Sequence, residues 1–495
     1  MKFLKLISAI LLLLLLQCCY KEEIIYNTEA DSNLELPSLL RINGKECCYD
    51  HIEKNLRYPI NADSINNFSP LIEFQNQSTV YFNDNTLQNG SINHLGKIEN
   101  NKAYQVRIET QNGVQHLSLT FTCLPIVQII TPNTIRDEPK TLARIVVNYT
   151  EEDKVSDSFL TGIEYRGQTS QSYQKKSYGF SLKGSMNLNN EVSNSFFDMK
   201  KNNDWILDAM WTDKARLRNK TSFELWNKMD VNHRGIDAEF VELFINNEHQ
   251  GLYCLGEKIN AEFLNVSNPN AVIYKAVDWA GGATQFENCN TYPPINDYWD
   301  GWEQKYPDPG IMINWNPLNE LRKLVINGGD EKFTSQIESL IKANNFIDYY
   351  IFLNVISAID NTGKNTFLVK ENMQNEFSII PWDLDGTWGL LWDGTYAGYS
   401  SVLSNNLFDR LFKTNPHDFR VKVKHRWHFL RDDIFSNTNL KRLFLKNFTQ
   451  INRSGIIVIE NKKWDANIDI EKEKEYLTDW MDQRLIFLDN YFKNL

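Results

Sequence analysis

Two short stretches of the sequence place acidic and amide side chains at spacings that suit chemistry on phosphate. Residues 360–365 read Asp-Asn-Thr-Gly-Lys-Asn, and residues 381–385 read Pro-Trp-Asp-Leu-Asp. Carboxylate and amide oxygens are the ligands that hard divalent cations such as Mg²⁺ prefer. These residue types therefore indicate a cation-assisted transfer in which a further carboxylate serves as the base.

A predicted β-hairpin connects the two stretches. Residues 366–369 and 377–380 are apolar runs separated by a polar turn, which is typical of two short antiparallel strands. Because a hairpin brings its two ends close together, we expect Asp360, Asn365 and Asp383 to converge at one end of it.

The spacing of these residues suggests a role for each. In protein kinases the catalytic-loop Asp is followed five positions later by an Asn that binds metal, and a second Asp further on binds metal as well. Asp360 and Asn365 have that spacing. We predict Asp360 as the catalytic base, and Asn365, Asp383 and Asp385 as ligands of Mg²⁺ or Mn²⁺. The alternative for Asp360 is a structural role, capping a helix end or a turn.

Length, composition and charge limit the class of protein. A chain of 495 residues favours two or three domains. The hydrophobic content of 42% and the aromatic content of 13% are sufficient for large cores and exclude a disordered protein. The formal net charge of −11, without a basic cluster, argues against a nucleic-acid partner.

The N-terminus has the features of an export signal. Lys2 and Lys5 precede an apolar run over residues 6–16, which is too short to span a bilayer. Cys18 and Cys19 end the run, and Cys19 fits the lipidated position of a lipoprotein signal better than Cys18 does. We expect residues 1–19 to be a lipoprotein signal peptide and the protein to be exported and anchored by lipid to a membrane, periplasmic or at the cell surface. An ordinary cleaved signal peptide is the alternative.

The remainder of the chain divides by pattern into three parts. Residues 20–36 are polar and are predicted to be a tether. Residues 37–124 contain short alternating runs separated by Asn- and Gly-containing turns, which predicts a small β-sandwich of immunoglobulin type. Residues 125–495 mix strands with helices and become mainly helical after residue 321, so the fold class is α+β. Residues 265–320 show no period and are predicted to be a long insertion or lid.

Several ordered motifs carry a family resemblance. They are Gly162-Ile-Glu-Tyr-Arg-Gly-Gln-Thr-Ser170, Lys175-Lys-Ser-Tyr178, Leu217-Arg-Asn219 with Phe223-Glu-Leu225, Ile245-Asn-Asn-Glu-His-Gln-Gly-Leu-Tyr253, and Pro381-Trp-Asp-Leu-Asp385. Together they resemble the CotH kinase family, the spore coat protein H-like atypical kinases. The resemblance covers about residues 125–430 and implies an atypical protein-kinase-like domain.

The resemblance also implies an ATP site. Arg166 lies in the segment that matches the family's phosphate-covering loop, where Gln168 stands in place of the usual Asn. Lys176 or Lys183 would supply the charge that anchors phosphate, and the residues alone do not decide between them. Glu224, on the following helix, would pair with that lysine as the equivalent glutamate does in kinases.

We therefore expect an exported, ATP- and Mg²⁺-dependent phosphotransferase that acts on Ser, Thr or Tyr hydroxyls of a protein substrate. The alternative is a catalytically silent surface binding or adhesion protein on a kinase-like scaffold. In that protein, aromatic side chains of the 278–315 region would stack on sugars or peptides: Trp279, Tyr292, Tyr298, Trp299, Trp302 and Tyr306. A metal-dependent hydrolase is a third, weaker reading of the acidic cluster.

Overall fold

The computed structural model describes residues 34, 36, 38–279, 284–287 and 292–495. The predicted signal peptide, Cys18, Cys19 and most of the predicted tether lie outside these residues. In the described ranges, no helix combines the length and the apolar character needed to cross a membrane. The predicted α+β class is confirmed, with a strand-rich N-terminal region and a helical C-terminal part.

The N-terminal region is built from short strands over residues 41–122. Its strands are β1 (Arg41–Ile42), β2 (Lys45–Glu46), β3 (Cys48–Asp50), β4 (Asn55–Pro59), β5 (Ser64–Phe68), β6 (Leu71–Glu73), β7 (Thr79–Phe82), β8 (Asn85–Thr86), β9 (Ser91–Ile92), β10 (Gly96–Glu99), β11 (Ala103–Thr110) and β12 (Gly113–Thr122). Sheets of order β2-β1-β6-β9 and β3-β4-β12-β11-β7-β8 contribute to one apolar core, beside the β10-β5 pair. Layers that share a core in this way form a sandwich.

A closed barrel follows directly. Its strands are β13 (Ile126–Ile130), β14 (Thr141–Asn148), β15 (Asp157–Tyr165), β16 (Tyr178–Lys183), β17 (Asp204–Asp208), β18 (Ala238–Ile245) and β19 (Glu248–Glu257), and the parallel pair β13–β18 closes it. A second core fills the barrel with inward-facing residues that include Ile145, Trp205 and Tyr253. Strands β18 and β19 form a hairpin that turns at residues 246 and 247.

The third part combines a sheet with helices. The sheet has the order β21-β22-β20-β23-β24 and is formed by β20 (Val272–Ala276), β21 (Tyr298–Trp299), β22 (Trp302–Tyr306), β23 (Thr366–Lys370) and β24 (Ser378–Pro381). The helices are α1 (Arg218–Met229), α2 (Asn316–Asn327), α3 (Asp330–Gln336), α4 (Ala343–Ile356), α5 (Asn406–Thr414), α6 (Phe419–Asp432), α7 (Asn437–Ser454), α8 (Ile456–Trp464) and α9 (Ile470–Lys493). They share the largest core with this sheet.

The expected insertion over residues 265–320 is corrected by the structure. This segment contains β20, which is the central strand of the five-stranded sheet and pairs with both β22 and β23. Val272, Ile273 and Tyr274 are fully buried. A strand of five residues between stretches rich in Asn, Pro and Gly is too short to show a clear periodicity. Its pairing partners also lie far along the chain, so the neighbouring residues do not indicate the sheet.

A buried ion pair joins the N-terminal region to the barrel. Glu242 on β18 is fully buried and accepts a hydrogen bond from Arg57 on β4 at 2.7 Å. Thr122 donates to the same carboxylate at 2.5 Å, and His249 lies 3.1 Å from it. Burial raises the pKa of Glu242, but Arg57 and His249 outweigh that effect and hold the pKa at about 2. The carboxylate is therefore charged in the folded protein and is held by partners from both parts.

This junction predicts a loss of stability in acid. The pKa of Glu242 lies below its ordinary value when the protein is folded, so its contribution is present above about pH 4.5 and is lost as the pH falls towards about 2. Each unit of pKa difference corresponds to about 1.4 kcal/mol. We expect Glu242→Gln to be destabilised most at neutral pH, with the gap from the parent protein narrowing by about 3 kcal/mol across that window.

Urea unfolding between pH 7 and pH 2 measures this effect. Glu109→Gln, which removes a carboxylate paired with Arg107 on the surface, is the matched control and should show a small gap at every pH. A gap between Glu242→Gln and the parent protein that stays constant with pH would contradict the assignment.

Candidate active site

The predicted hairpin and the segments at its ends are present in the structure. Strands β23 and β24 pair antiparallel, with Thr366 opposite Pro381. The amide of Trp382 donates to the carbonyl of Asn365 at 2.9 Å, so the residues that precede and follow the hairpin are joined. Asn365 and Asp383 both have positive φ angles, 56° each, which Asn and Asp tolerate better than other side chains do.

Asn361 fixes this junction, and the sequence analysis did not single it out. Its side-chain amide donates to the carbonyls of Asn365 at 2.8 Å and Trp382 at 2.7 Å. The backbone carbonyl of Asn361 accepts a hydrogen bond from the hydroxyl of Tyr349 on α4 at 2.9 Å. Asn361 is 2% exposed, so it holds both ends of the hairpin against the preceding helix from inside the core.

A cavity of about 880 Å³ lies where the barrel, α1 and the five-stranded sheet meet. This volume is in the range that binds a small-molecule ligand. Asp360, Asn365, Asp383, Asp385 and Arg166 all line it. The structure therefore brings together every residue predicted as base or metal ligand, and one of the four residues predicted to bind ATP.

The other three predicted ATP-binding residues lie elsewhere. Lys176 donates to the carbonyl of Gln171 at 2.6 Å, and Lys183 pairs with Glu191 at 2.9 Å. Neither belongs to the wall of the cavity.

Glu224 also departs from the expectation. Its carboxylate pairs with Lys220 on the same helix at 2.7 Å. It also accepts from Asn447 of α7 at 3.1 Å, so in the described part of the chain it forms no ion pair with Lys176 or Lys183. The sequence positions suggested an ion pair between Glu224 and Lys176 or Lys183, as in kinases. Glu224 instead binds Lys220 and Asn447, and Asn447 lies on α7, more than 200 residues further along the chain.

Asp208 adds a further carboxylate to the acidic end of the cavity, and no pattern in the sequence indicated it. Asn219 on α1 donates to Asp208 at 3.0 Å and accepts from the amide of Leu384 at 3.0 Å. One asparagine therefore positions Asp208 relative to the segment that carries Asp383 and Asp385. Asp385 in turn accepts a hydrogen bond from the hydroxyl of Thr212 at 2.8 Å.

The electrostatics of this acidic end favour a bound cation. Burial raises the pKa of Asp385 well above its usual value, and the charges of Asp383 and Asp208 raise it further. The protein around Asp383 raises the pKa of that carboxyl as well; Arg166 lowers it and Asp208 raises it. Asp383 stays open to the cavity, so a ligand can reach it. Carboxylates that repel one another in a confined space are stabilised by a positive partner.

The loop after β15 forms another wall. Gly167 has a φ angle of 84°, and a Cβ atom there would lie 2.1 Å from the hydroxyl oxygen of Ser170. The Ser170 hydroxyl donates to the carbonyl of Arg166 at 2.7 Å, which tightens the turn. Glycine is required for this close approach. The turn leaves the Arg166 side chain beside Trp382, with its guanidinium carbon 5.1 Å from the ring centre.

The tryptophans beside the acids are packing residues. Trp382 is 5% exposed and contacts the rings of Phe223 and Phe367. Trp388 is also buried and donates to the hydroxyl of Ser222 at 2.8 Å. Their role is to hold the acidic segment rigidly against α1 and the sheet.

Comparison with known proteins identifies the family. The family model described as "CotH kinase protein" matches residues 163–488, two thirds of the chain. The chain belongs to the CotH kinase family. No curated protein matches it. Among solved structures, the crystal structure of the Helicobacter pylori proinflammatory kinase CtkA matches at 9% identity, covering 59% of this chain and 89% of that chain, with a TM-score of 0.24.

The residues that match the CotH kinase family model include the residues that line the cavity. The matched residues include the loop with Arg166, helix α1 and the hairpin between Asp360 and Asp383. A kinase-like protein of this family uses ATP, a metal ion and a protein substrate in general terms. Among the described residues, no set of three or more His, Cys, Asp or Glu side chains forms a metal cluster by itself.

Gly363 offers a test of how tightly the Asp360–Asn365 loop is packed. A Cβ atom at this position would lie 2.5 Å from the indole of Trp279. Gly363→Ala must displace either the loop or that ring, at a cost of about 1–3 kcal/mol. We expect the kinase-like activity to fall by roughly tenfold, because displacement of a reacting group by about 1 Å is costly.

Steady-state kinetics and thermal unfolding measure this change. Gly398→Ala is the matched control, because nothing lies within 4 Å of a Cβ atom there. Activity and melting temperature that are equal in the two variants would show that the contact between Gly363 and Trp279 does not constrain the loop.

Proposed function

We propose that this protein transfers the γ-phosphoryl group of ATP to a Ser, Thr or Tyr hydroxyl of a protein substrate, with Mg²⁺ or Mn²⁺. The observation that carries the proposal is the convergence of Asp360, Asn365, Asp383 and Asp385 with Arg166 on one cavity. Family membership supports a kinase-like activity, and the cavity supplies the acids, the amide and the cation that phosphoryl transfer uses.

The wall of the cavity combines apolar and charged side chains in a way that suits a nucleotide. The apolar part of the wall consists of Ile206, Phe223, Ile236, Ala238, Cys254 and Ile259. The charged part, which we call the charged end, consists of the acids and Arg166. The base of ATP would lie against the apolar side chains, and its phosphates would extend towards the charged end.

The residues at the charged end fit a divalent cation held jointly with phosphate. Mg²⁺ is usually bound by one or two carboxylates together with substrate phosphates, rather than by a protein cage. Asp383 and Asp385 would supply carboxylate oxygens and Asn365 an amide oxygen. The raised pKa values of Asp383 and Asp385 fit this use, since burial disfavours the charged forms of both carboxyls until a cation binds. When bound, the ion would neutralise phosphate charge.

Asp360 is the proposed base. Its side chain is partly exposed at the cavity wall, and the ammonium group of Lys364 lies 3.1 Å from it. The acceptor oxygen forms a bond to the γ-phosphorus while the bond to the β,γ-bridging oxygen breaks, and the electron pair leaves with ADP. Asp360 accepts the proton that the acceptor hydroxyl loses.

Export and lipid anchoring belong to the same proposal. The N-terminal residues support them by sequence alone: two lysines, an apolar run and Cys18-Cys19. A protein with this leader would act on substrates outside the cytoplasm. Of the aromatic side chains that would stack on a ligand in the adhesion alternative, Trp299 and Trp302 are buried, whereas Trp279, Tyr292 and Tyr298 are exposed and keep that alternative open.

Replacement of the base tests the proposed reaction. The full chain, incubated with γ-phosphate-labelled ATP, Mg²⁺ and a mixture of acceptor proteins, should incorporate label. Asp360→Asn should reduce incorporation by about a hundredfold or more, because a positioned general base contributes about that factor. The melting temperature should change little.

Asp330→Asn is the matched control. Asp330 also pairs with a lysine, Lys413 at 2.9 Å, but it lies outside the cavity wall. Equal incorporation by the parent protein and Asp360→Asn, or no incorporation by either, would remove the proposal. Glycan binding without phosphotransfer would favour the adhesion alternative.

A further inference from the structure

Lys275 is a cavity residue that neither the sequence motifs nor the proposed reaction uses. It lies on β20, where its neighbours Tyr274 and Ala276 are buried and only the lysine reaches the cavity. It pairs across the sheet with Glu303 and Phe367, and both of these residues line the cavity too. Directly opposite residues point to the same face of a sheet, so Lys275 projects into the cavity.

The other lysines of the cavity wall are already paired with carboxylates. Their partners and distances are Glu460 for Lys175 at 2.8 Å, Glu224 for Lys220 at 2.7 Å, Asp204 for Lys258 at 3.8 Å, Glu303 for Lys305 at 2.5 Å, and Asp360 for Lys364 at 3.1 Å. Lys275 makes no ion pair with any residue that the structure describes. Its ammonium lies 5.7 Å from the centre of the Trp382 ring and 5.8 Å from that of Phe367.

A second cation stands beside it. The Arg166 guanidinium is 5.1 Å from the Trp382 ring and likewise has no ion-pair partner within the described ranges. Burial, with a smaller contribution from Arg166, lowers the pKa of Lys275 to about 8. Asp383 attracts both cations, and a bound anion between or beside them would offset the repulsion that remains. A polyphosphate has the charge to satisfy both.

The position of Lys275 in the fold indicates which phosphate it reaches. The amide of Asn365 donates to the carbonyl of Ala276, the next residue, at 2.9 Å. Lys275 is therefore fixed to the same hairpin that carries Asn365 and Asp383. Arg166 instead belongs to the loop of the barrel wall. Because Lys275 is held next to the proposed catalytic residues, it is placed to bind the phosphoryl group that is transferred. Arg166, on the barrel loop, is placed to bind the phosphates that stay with the nucleoside.

We propose that Lys275 binds the terminal phosphoryl group of the nucleotide and neutralises its charge during transfer, while Arg166 binds the phosphates that leave as ADP. The inference rests on the proposed phosphotransfer function. It adds a catalytic residue from a strand that the kinase-like motifs do not contain. It also predicts that nucleoside triphosphates bind more tightly than diphosphates because of one side chain.

Two substitutions at Lys275 and two nucleotides test this assignment. Lys275→Met should lower phosphotransfer at least a hundredfold, the effect of removing a cation from the transferring group. It should weaken binding of a non-hydrolysable triphosphate with Mg²⁺ by about tenfold or more, and binding of ADP by less than about twofold, since only the triphosphate carries the contact. Lys275→Arg should recover part of both losses.

Lys370→Met is the matched control. Lys370 is a buried lysine on the adjacent strand β23, stacked on Phe377 and outside the cavity wall, so both affinities and the rate should stay close to the parent values. Thermal unfolding should show that Lys275→Met is at least as stable as the parent, because it removes a half-buried charge.

The outcomes separate the two proposals. Equal weakening of triphosphate and diphosphate binding would move Lys275 to the non-transferred phosphates and overturn the inference. Unchanged affinities and rate in Lys275→Met would overturn it as well. If the parent protein transfers no phosphate, the proposed function fails, but a selective loss of triphosphate affinity in Lys275→Met would still support this contact.

Discussion

Asp383→Asn should lower phosphotransfer by about a thousandfold or more, because it removes the carboxylate that is most accessible to a metal ion at the charged end of the cavity. The substitution keeps the size of the side chain and the ability of its oxygen to accept a hydrogen bond. Asparagine also tolerates the φ angle of 56° at this position. The loss should therefore come from charge alone, and it should appear at every nucleotide concentration.

The stability of the same variant should move in the opposite direction. The surrounding protein and Asp208 raise the pKa of Asp383, which means that its charged form is disfavoured when no cation is bound. Removing this charge should leave the melting temperature unchanged or raise it. Added Mg²⁺ with a non-hydrolysable triphosphate should then stabilise the parent protein much more than Asp383→Asn.

Asp393→Asn is the control for both measurements. Asp393 is an exposed residue ten positions further along that accepts hydrogen bonds from Thr395. Its replacement should leave the rate and the stabilisation by Mg²⁺ and nucleotide at parent values. If Asp383→Asn retains most of the activity, or loses activity only because it unfolds, then Asp383 does not bind the metal.

The sequence predicted the parts of this site that are local in the chain. Asp360, Asn365 and Asp383 are joined by a hairpin of two short strands, and the periodicity of those strands and the turn between them are visible within 25 residues. The geometry of a hairpin then required the convergence that the structure shows. Just before α1, the carboxylate of Asp213 accepts hydrogen bonds from the amides of Leu217 and Arg218 at 2.7 Å each, which is also a contact between residues close in the chain.

What the sequence could not predict depends on partners far along the chain. Glu224 takes Asn447 from a helix that is remote in sequence, and Lys176 turns back onto carbonyls of its own loop. Lys275 lies in a segment whose composition resembles a loop. A lysine within the apolar run Ala271-Val-Ile-Tyr-Lys-Ala276 was nevertheless a signal, because a buried strand rarely carries a charge without a purpose.

Glu460 shows the same dependence on distant partners and leads to the largest expected loss of stability. It lies on α8, is fully buried, and accepts from Lys175 at 2.8 Å and from Arg216 at 3.2 Å. The amide of Leu252 on β19 also donates to it, at 2.8 Å. One carboxylate therefore joins the C-terminal helices to the barrel and to the segment that precedes α1.

The surroundings of Glu460 leave no room for an alternative arrangement. Gly251 has a φ angle of 86°, and a Cβ atom at that position would lie 2.2 Å from the Glu460 carboxylate. Burial lowers the pKa of Lys175 to about 8, and Glu460 opposes that shift. Without Glu460, the cations of Lys175 and Arg216 would stay in the core without their shared counter-ion.

We expect Glu460→Ala to destabilise the protein by about 3–5 kcal/mol, since removing one partner leaves buried charges uncompensated. Urea unfolding of the full chain measures the change. Glu471→Ala, at an exposed glutamate of α9 that pairs with Lys474, is the control and should cost less than about 1 kcal/mol.

A double substitution distinguishes loss of charge compensation from loss of packing. In Lys175→Met with Glu460→Gln, one cation and the anion are removed together, while the amide oxygen of glutamine can still accept from Leu252 or Arg216. Buried ion pairs can be replaced by neutral groups of similar size at little cost, so this double variant should be more stable, by about 2 kcal/mol or more, than Glu460→Gln alone, which keeps the packing but leaves Lys175 without its anion. If the double variant is no more stable than Glu460→Gln, packing around α8 and not the balance of charge holds the barrel to the helices.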